Sequence, residues 1–404
     1  MKTNLLIPFL CIFSITLFAQ TISIPDPNFK LKLIAAGVDT NNDGEIQISE
    51  ALAVSQLNVS SLSNDPHRIT NLQGIEYFGN LIELNCSGNL LTTLDVTPLT
   101  SLQFLKCYFN ELTSLNVNGL INLEKLWVNE NKLQFLNLST LQNLKWIWCS
   151  NNQLTALDVS AISTLETIWA ENNQIQTLDL LPLTELGYII ISNNNLNHID
   201  VNHLNNLEFL HASNNNIDAI DVSNMPNLYI LELGGNQLEE IDCSLTGVAY
   251  LHCENNPDLI SINVQNGVIS HSDPDGLDFG FDFSNLPSLQ SICMDPGEEG
   301  ALAESGFNPE DVTIYTGANC TLSKDSFQKS TTYIFPNPVV SDFNLSSFNK
   351  IQSYTLFDYA GRTVITLSKY QLLQENVAML PSGFYFLKLE NQDKSSETLR
   401  FFKK

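Results

Sequence analysis

Oxygen donors crowd one short stretch near the start of this 404-residue chain. In Asp39-Thr-Asn41-Asn-Asp43-Gly44-Glu45-Ile-Gln47-Ile-Ser-Glu50, an Asp, Asn, Gln or Glu falls on almost every second position. Hard oxygens in that order let a short loop wrap Ca²⁺, which takes six to eight such ligands. The competing reading is an ordinary Asx-Gly turn. Further on, His211, Glu232 and His252 recur about one coil apart. Two imidazoles and a carboxylate can hold a transition metal, but strand spacing puts the outer pair about 10 Å apart. H-E-x-x-H, G-x-S-x-G, a phosphate-binding Gly loop and C-x-x-C are all missing, and no other His has an evident nucleophile to serve. Nothing in the sequence points to catalysis.

The elements that position these residues follow from an internal period. Segments start at Leu81, Leu102, Leu123, Leu144, Leu165, Leu186, Leu207 and Leu228, and a ninth at Val248. The fourth residue of each is Leu or Ile. The ninth is always Asn, from Asn89 through Asn131 and Asn194 to Asn256. This pattern, L-x-x-L-x-L/C-x-x-N-x-L, resembles a leucine-rich repeat. One copy buries too few aliphatic side chains to offset the entropy of ordering it, so copies must stack into a solenoid. The Asn column reads as structural, its amide serving backbone groups of the turn and the neighbouring coil. Asp158, Asp179, Asp200, Asp221 and Asp242 form a second polar column that reads as Asx turns, with a cation ladder as the lesser reading. No repeat has room for a long helix, so the expected fold is a mostly β solenoid.

The 39–50 segment resembles the calcium loop of an EF-hand. That resemblance makes Asp39, Asn41 and Asp43 ligands at loop positions 1, 3 and 5 and puts Gly44 at the sharp turn. Glu45 then offers its carbonyl, Gln47 a water-mediated contact and Glu50 both oxygens. It implies structural Ca²⁺ in a cap over residues 21–80, begun by the helix-spaced apolar residues of Phe29–Ala36.

In such a solenoid the third, fifth, seventh and eighth positions face the concave sheet. The third column includes Phe104, Lys125, Trp146, Tyr188 and Phe209, and the fifth includes Trp127, Trp148, Trp169 and His211. All four tryptophans of the chain lie in these two columns, and Tyr108 and Phe109 extend the patch. Exposed aromatics in this number read as a binding surface, against a cross-strand ladder that only stabilises the sheet. The candidate ligand residues are Phe104, Tyr108, Trp127, Trp146, Trp148, Trp169, Tyr188, Phe209 and His211.

Residues 1–20, with Lys2, an apolar run from Leu5 to Phe18 and Ala19, read as a secretory signal peptide too short to span a membrane. In an exported chain, Cys86, Cys107, Cys149 and Cys253 fill one apolar column and Cys243 another, so they read as buried small hydrophobes. Cys293 and Cys320 lie outside the repeats and are expected to pair as a disulfide. A net charge of −26 and a pI near 4.3 argue against nucleic acid as a partner.

The repeats are expected to span 81–267, followed by a closing cap over 268–320, with Asp273–Asp282 as an inserted loop, and a linker over 321–331. Period-2 runs at 353–358 and 383–389 then predict a small β-sandwich over 332–404. Phe335-Pro-Asn-Pro338, Asp358-Tyr-Ala-Gly-Arg362, Leu380-Pro-Ser-Gly-Phe-Tyr385 and the basic end Phe402-Lys-Lys404 resemble the C-terminal sorting domain of the Bacteroidetes type IX secretion system. That likeness implies handling by the secretion machinery, removal of the domain, and release or retention at the cell surface. The cap and Cys-bearing repeats also resemble internalin-like proteins of these bacteria. The expectation is a secreted or surface-displayed monomer that recognises an extracellular protein or glycan in an adhesin-like way. The alternatives are a non-binding matrix component and, more weakly, a metal-dependent hydrolase using His211, Glu232 and His252.

Overall fold

The computed structural model describes residues 20–223, 225–269, 280–302 and 312–317. Nearer the C-terminus it describes 334–335, 339, 343–345, 351–358, 362–381, 383–391 and 396–403. The expected signal segment, the linker, most of the inserted acidic loop and Cys320 lie outside these residues, and with Cys320 the expected disulfide. The chain divides into two units, 1–320 and 321–404.

In the first unit the third to fifth residues of each coil form a strand, because only there do side chains alternate out, in, out. Leu126, between Lys125 and Trp127, and Ile147, between Trp146 and Trp148, are each 1% exposed. Eleven such strands, Gln56–Asn58 to Phe281–Asp282, form one parallel sheet in coil order, with each central aliphatic opposite the next. Two further strands thus flank the nine repeats read from the sequence. Phe281–Asp282 falls at the end of the stretch expected to be loop, since Phe281 supplies the buried aliphatic-type position opposite Leu251.

The opposite side carries only short strands. Thr93–Asp95 pairs with Ser114–Asn116, and Glu240–Asp242, Ser261–Asn263, Ser291–Met294 and Thr313–Thr316 form a second group. Between them runs a continuous core of Leu, Ile and Val with the thiols of Cys86, Cys107, Cys149, Cys243 and Cys253 fully buried. Burial pushes the Cys86, Cys149 and Cys243 thiols up to about 12, so they act as small apolar side chains.

Each column Asn ties two coils. Asn152 Nδ2 donates to the carbonyls of Cys149 in its own coil and Val128 in the preceding one, both at 3.1 Å. The residue before it turns the chain: Asn151, Asn172, Asn193, Asn214 and Asn255 have φ between 53° and 59°. Asn tolerates that left-handed conformation better than other side chains.

At the N-terminal end, α1 (Pro27–Ala35) is capped by Asp26, whose Oδ1 accepts from the Asn28 and Phe29 N–H groups. Its Oδ2 accepts from Thr70 and Asn71, fastening the helix to the first coil. A second helix, α2 (Ile48–Ala53), leads into the first strand.

The second unit is a four-stranded antiparallel sheet in the order Thr363–Leu367, Ile351–Asp358, Gly383–Asn391, Ser396–Lys403, with a short Ile334–Phe335/Asn344–Leu345 pair. A helix, Tyr370–Ala378, not anticipated from sequence, packs Leu373 and Val377 with Leu356, Leu387 and Leu389. The buried pair at i, i+4 explains why this stretch is helical.

Candidate functional site

The parallel register sets the concave columns side by side. Phe104, Lys125, Trp146, Thr167, Tyr188, Phe209, Ile230 and Tyr250 are successive strand partners. So are Lys106, Trp127, Trp148, Trp169, Ile190, His211, Glu232, His252 and Asp282. The indoles lie outside the core: Trp146 is 40% and Tyr188 41% exposed, and Trp127, Trp148, Trp169, Phe104 and Phe209 are half-buried.

The rings are fixed by one another and by charges. Trp148 and Trp169 stack with centroids 4.2 Å apart and planes 8° from parallel, and Tyr188 stacks on Phe209 at 4.8 Å. Lys125 Nζ sits 3.6 Å above the Trp146 ring, and Lys106 Nζ lies 5.3 Å from that of Trp127. The Trp146 Nε1–H donates to Glu166 at 3.3 Å, and the Tyr188 hydroxyl donates to Glu208 at 2.9 Å. That hydrogen bond to a carboxylate raises the Tyr188 phenol above its usual range. Tyr108 meets Phe109 edge to face. Phe109 takes φ 52° at the turn position that five other coils fill with Asn, and it is 54% exposed. A bulky residue in that conformation carries backbone strain.

Toward the C-terminal end the face changes character. His211 Nδ1 lies 3.3 Å from Glu232 Oε2. Glu254, at the seventh position of the next coil, folds over Gly234, where a Cβ would lie 1.9 Å from Glu254 Oε1. Burial, with the like charges of Asp282 and Glu232 adding to it, holds the Glu254 carboxyl above the usual range. Glu166, Glu208, Glu254 and Asp282 were not singled out from sequence. The repeat positions of Glu166, Glu208 and Glu254 were readable there, whereas that of Asp282 and the partners of all four required the register.

In the 39–50 loop, Asp39 accepts from the Asp43 and Gly44 N–H groups, and Glu50 from those of Thr40, Asn41 and Gln47. Asn42 and Gly44 have φ of 60° and 78°, which curls the loop inward. Asn41 Nδ2 and Gln47 Nε2 both donate to Asp43 Oδ2. Glu45 pairs outward with Lys30 through its side chain at 2.7 Å. The oxygens needed for a hard cation are thus gathered around one loop, turned toward the loop's own N–H groups. Among the described residues, no three His, Cys, Asp or Glu side chains converge on a common point in the manner of a metal centre. For His211, Glu232 and His252, the in-register strands keep the imidazoles on separate strands with Glu232 between them.

Residues 333–404 match the family described as secretion system C-terminal sorting domain, and residues 205–247 match the leucine-rich repeats, in two copies. No curated protein matches the chain. Among solved structures, the chain is similar to a leucine-rich-repeat protein of Leptospira interrogans, with 28% identity and a TM-score of 0.40. That match covers 42% of this chain and 47% of that one, so the chain spans about half of that protein's length. The functional domain of InlJ from Listeria monocytogenes, which includes a cysteine ladder, is 21% identical, with 95% and 98% covered and a TM-score of 0.39. YopM from Yersinia enterocolitica is 24% identical, with 61% and 60% covered and a TM-score of 0.41. No helix among the described residues is long and apolar enough to cross a membrane. The chain thus carries leucine-rich repeats at residues 205–247 and a secretion-system sorting domain at residues 333–404, and the latter assigns it to the cell exterior or the cell surface.

Proposed function

We propose that this protein is a binding module, adhesin-like, whose concave sheet from Phe104 to His211 recognises an extracellular protein or glycan. One observation carries the reading: four tryptophans on three consecutive strands lie outside the core, on the open side of the sheet. A strand that needed only stability would place its large apolar groups inward, where burial gains most. Aromatic residues in a shallow trough supply contact area with little conformational entropy to lose. The competing reading, a matrix component whose aromatics only stabilise the sheet, draws on the Trp148–Trp169 stack. No catalytic role is proposed.

The cap belongs to the same proposal. Ca²⁺ takes oxygens from Asp39, Asn41, Asp43 and Glu50, the Glu45 carbonyl, and Gln47 through water. The side-chain amides of Asn41 and Gln47 present oxygen instead of nitrogen after a simple flip. Bound metal fixes α1 and α2 to the first coil and closes the apolar end of the stack.

The test is a protein and glycan array probed with the intact chain, with Trp148→Ala as control. Hits that disappear in the variant support binding. An array without hits at high micromolar concentration, with tryptophan emission unmoved by any arrayed class, returns the face to a purely structural role.

A further inference from the structure

Residues 146–323 hold 25 Asp and Glu and no Lys or Arg. The concave face therefore has two halves. In the first, cations of the chain itself occupy aromatic faces, Lys125 on Trp146 and Lys106 beside Trp127. From Trp148 onward the same columns continue with Trp169, Tyr188 and Phe209, but no coil there can supply a cation. Carboxylates take over instead: Glu208 at the Tyr188 hydroxyl, then Glu232, Glu254 and Asp282 on successive coils. Only His211 and His252 stand among that last group.

The unpaired groups are mixed. Asn129 Oδ1, Ser150 Oγ and Glu254 Oε2, all at the seventh position of a coil, have no hydrogen-bond partner, and neither do Trp169 Nε1, a donor, and His211 Nε2. Asn129 and Ser150 are 9% and 1% exposed. Buried polar groups without partners are costly, and the acceptors at Asn129 and Glu254 suit a ligand that brings N–H groups. The ring faces themselves are largely taken by one another: Trp148 and Trp169 cover each other, as do Tyr188 and Phe209. That leaves ring edges and few open faces for a sugar to stack on, while edges and carboxylates together suit a side chain with an apolar stem and a charged head.

We propose that the half of the concave face from Trp148 to Asp282 docks a basic polypeptide segment, its Arg or Lys heads set among Glu232, Glu254 and Asp282 and its apolar residues along the aromatic edges. This rests on the binding reading above and narrows it to one partner class. Gly234 is part of the seat, because only a residue without a Cβ lets Glu254 lie across the strand. The surplus of negative charge steers such a segment toward the trough at low ionic strength.

The experiment is fluorescence anisotropy of the full chain with three labelled probes. They are a peptide alternating Arg with apolar residues, the same peptide with Glu in place of Arg, and a neutral oligosaccharide. The Arg peptide is expected to bind and to weaken as salt rises. Glu254→Gln with Asp282→Asn should weaken it at least about tenfold, whereas Asp95→Asn, a partner in the opposite sheet, should leave it unchanged. Gly234→Ala, which displaces Glu254 without removing charge, should also weaken it. Equal binding of the Arg and Glu peptides, or no effect of the Glu254/Asp282 change, overturns the proposal. Oligosaccharide binding that Trp148→Ala abolishes, with no Arg-peptide binding, overturns the basic partner and keeps the concave-face function. Silence from all three probes, together with an array that returns no hit, overturns both.

Discussion

Asn152 Oδ1 accepts the backbone N–H of Leu133, which lies in the preceding coil, at 3.0 Å. Every coil repeats that link, for example Asn131 to Leu112 and Asn173 to Leu154. The three carbonyls that Asn152 Nδ2 serves each have another donor: Val128 is reached by Asn131, Cys149 by Asn173 and Ser150 by the Glu130 N–H. The Leu133 N–H has no such second partner in the column. Asn152→Ala thus leaves one buried donor unsatisfied and is expected to cost about 2–3 kcal/mol. Thermal or urea unfolding of the variant beside the parent chain measures it. A loss below about 0.5 kcal/mol would show that water or a local shift replaces the amide.

Asp26 serves both the start of α1 and the Thr70–Asn71 turn. Burial pushes its carboxyl up, but hydrogen bonds from Thr70, Phe29 and Asn71 outweigh that and leave it below its ordinary value of 3.8. A lowered carboxylate contributes stability that is present above its unfolded value and lost as pH falls through the folded one. Asp26→Ala is expected to cost about 2–3 kcal/mol at neutral pH. It should also remove part of the loss that the parent shows on acidification below about pH 4. Parallel melting curves of parent and variant from neutral to acid pH read both effects.

The solenoid was legible because its residues obey a period that burial imposes. Leu84, Leu105 and Leu126 must point inward, and Asn89, Asn110 and Asn131 must close each turn. Phe281 escaped because the acidic insertion ahead of it breaks the spacing, while backbone pairing to Leu251 carries on regardless. The Tyr370–Ala378 helix escaped because two buried residues one turn apart, Leu373 and Val377, are a weak signal between strands. The aromatic columns were readable as positions. Which rings stack, and that Glu254 rests on Gly234, depends on how one coil meets the next, and spacing alone does not carry that.

His203 bridges two coils on the far side of the solenoid. One ring nitrogen is 3.0 Å from the Leu180 carbonyl, and the other lies 3.9 Å from Asp200 Oδ1. The nearby Asp200 carboxylate raises the imidazole above its ordinary 6.5, against the opposing effect of burial, with the Leu180 carbonyl and Asp179 adding to the rise. Asp200 is lowered in turn by His203, with His198 contributing. A raised imidazole contributes stability in full below its unfolded value and loses it as pH climbs through the folded one. The parent should therefore lose some stability as pH rises above about 6.5, and His203→Gln should flatten that segment of the curve. Identical pH profiles for the two would remove the link.

Calcium in the 39–50 loop makes a separate prediction. If the affinity is that of an extracellular module, about 10⁻⁴–10⁻³ M, then 10 mM Ca²⁺ stabilises the fold by roughly 1.4–2.7 kcal/mol. Chelation should lower the melting temperature by a few degrees. Glu50→Gln, which keeps the shape but removes one of the three carboxylate charges, should melt like the chelated parent with or without calcium. Isothermal titration of the chelated chain provides a direct count. A parent chain whose melting ignores both chelator and added calcium leaves the loop an ordinary Asx turn.

The Trp148–Trp169 pair separates recognition from stability most cleanly. A stacked aromatic pair on a sheet surface is worth about 0.5–1.5 kcal/mol beyond the area it covers, and both rings are already half open to solvent. Trp148→Leu keeps an apolar group in the column between Trp127 and Trp169 while removing the ring that covers Trp169. The expected loss of stability is therefore small, about 1 kcal/mol. A binding surface would respond differently, since truncating a central aromatic anchor commonly costs 2 kcal/mol or more, or about thirtyfold in affinity. Melting and binding measured on the same Trp148→Leu preparation distinguish the two. A binding loss that far exceeds the stability loss marks these indoles as contacts for a partner, whereas a large drop in melting with unchanged binding marks them as a ladder that holds the sheet.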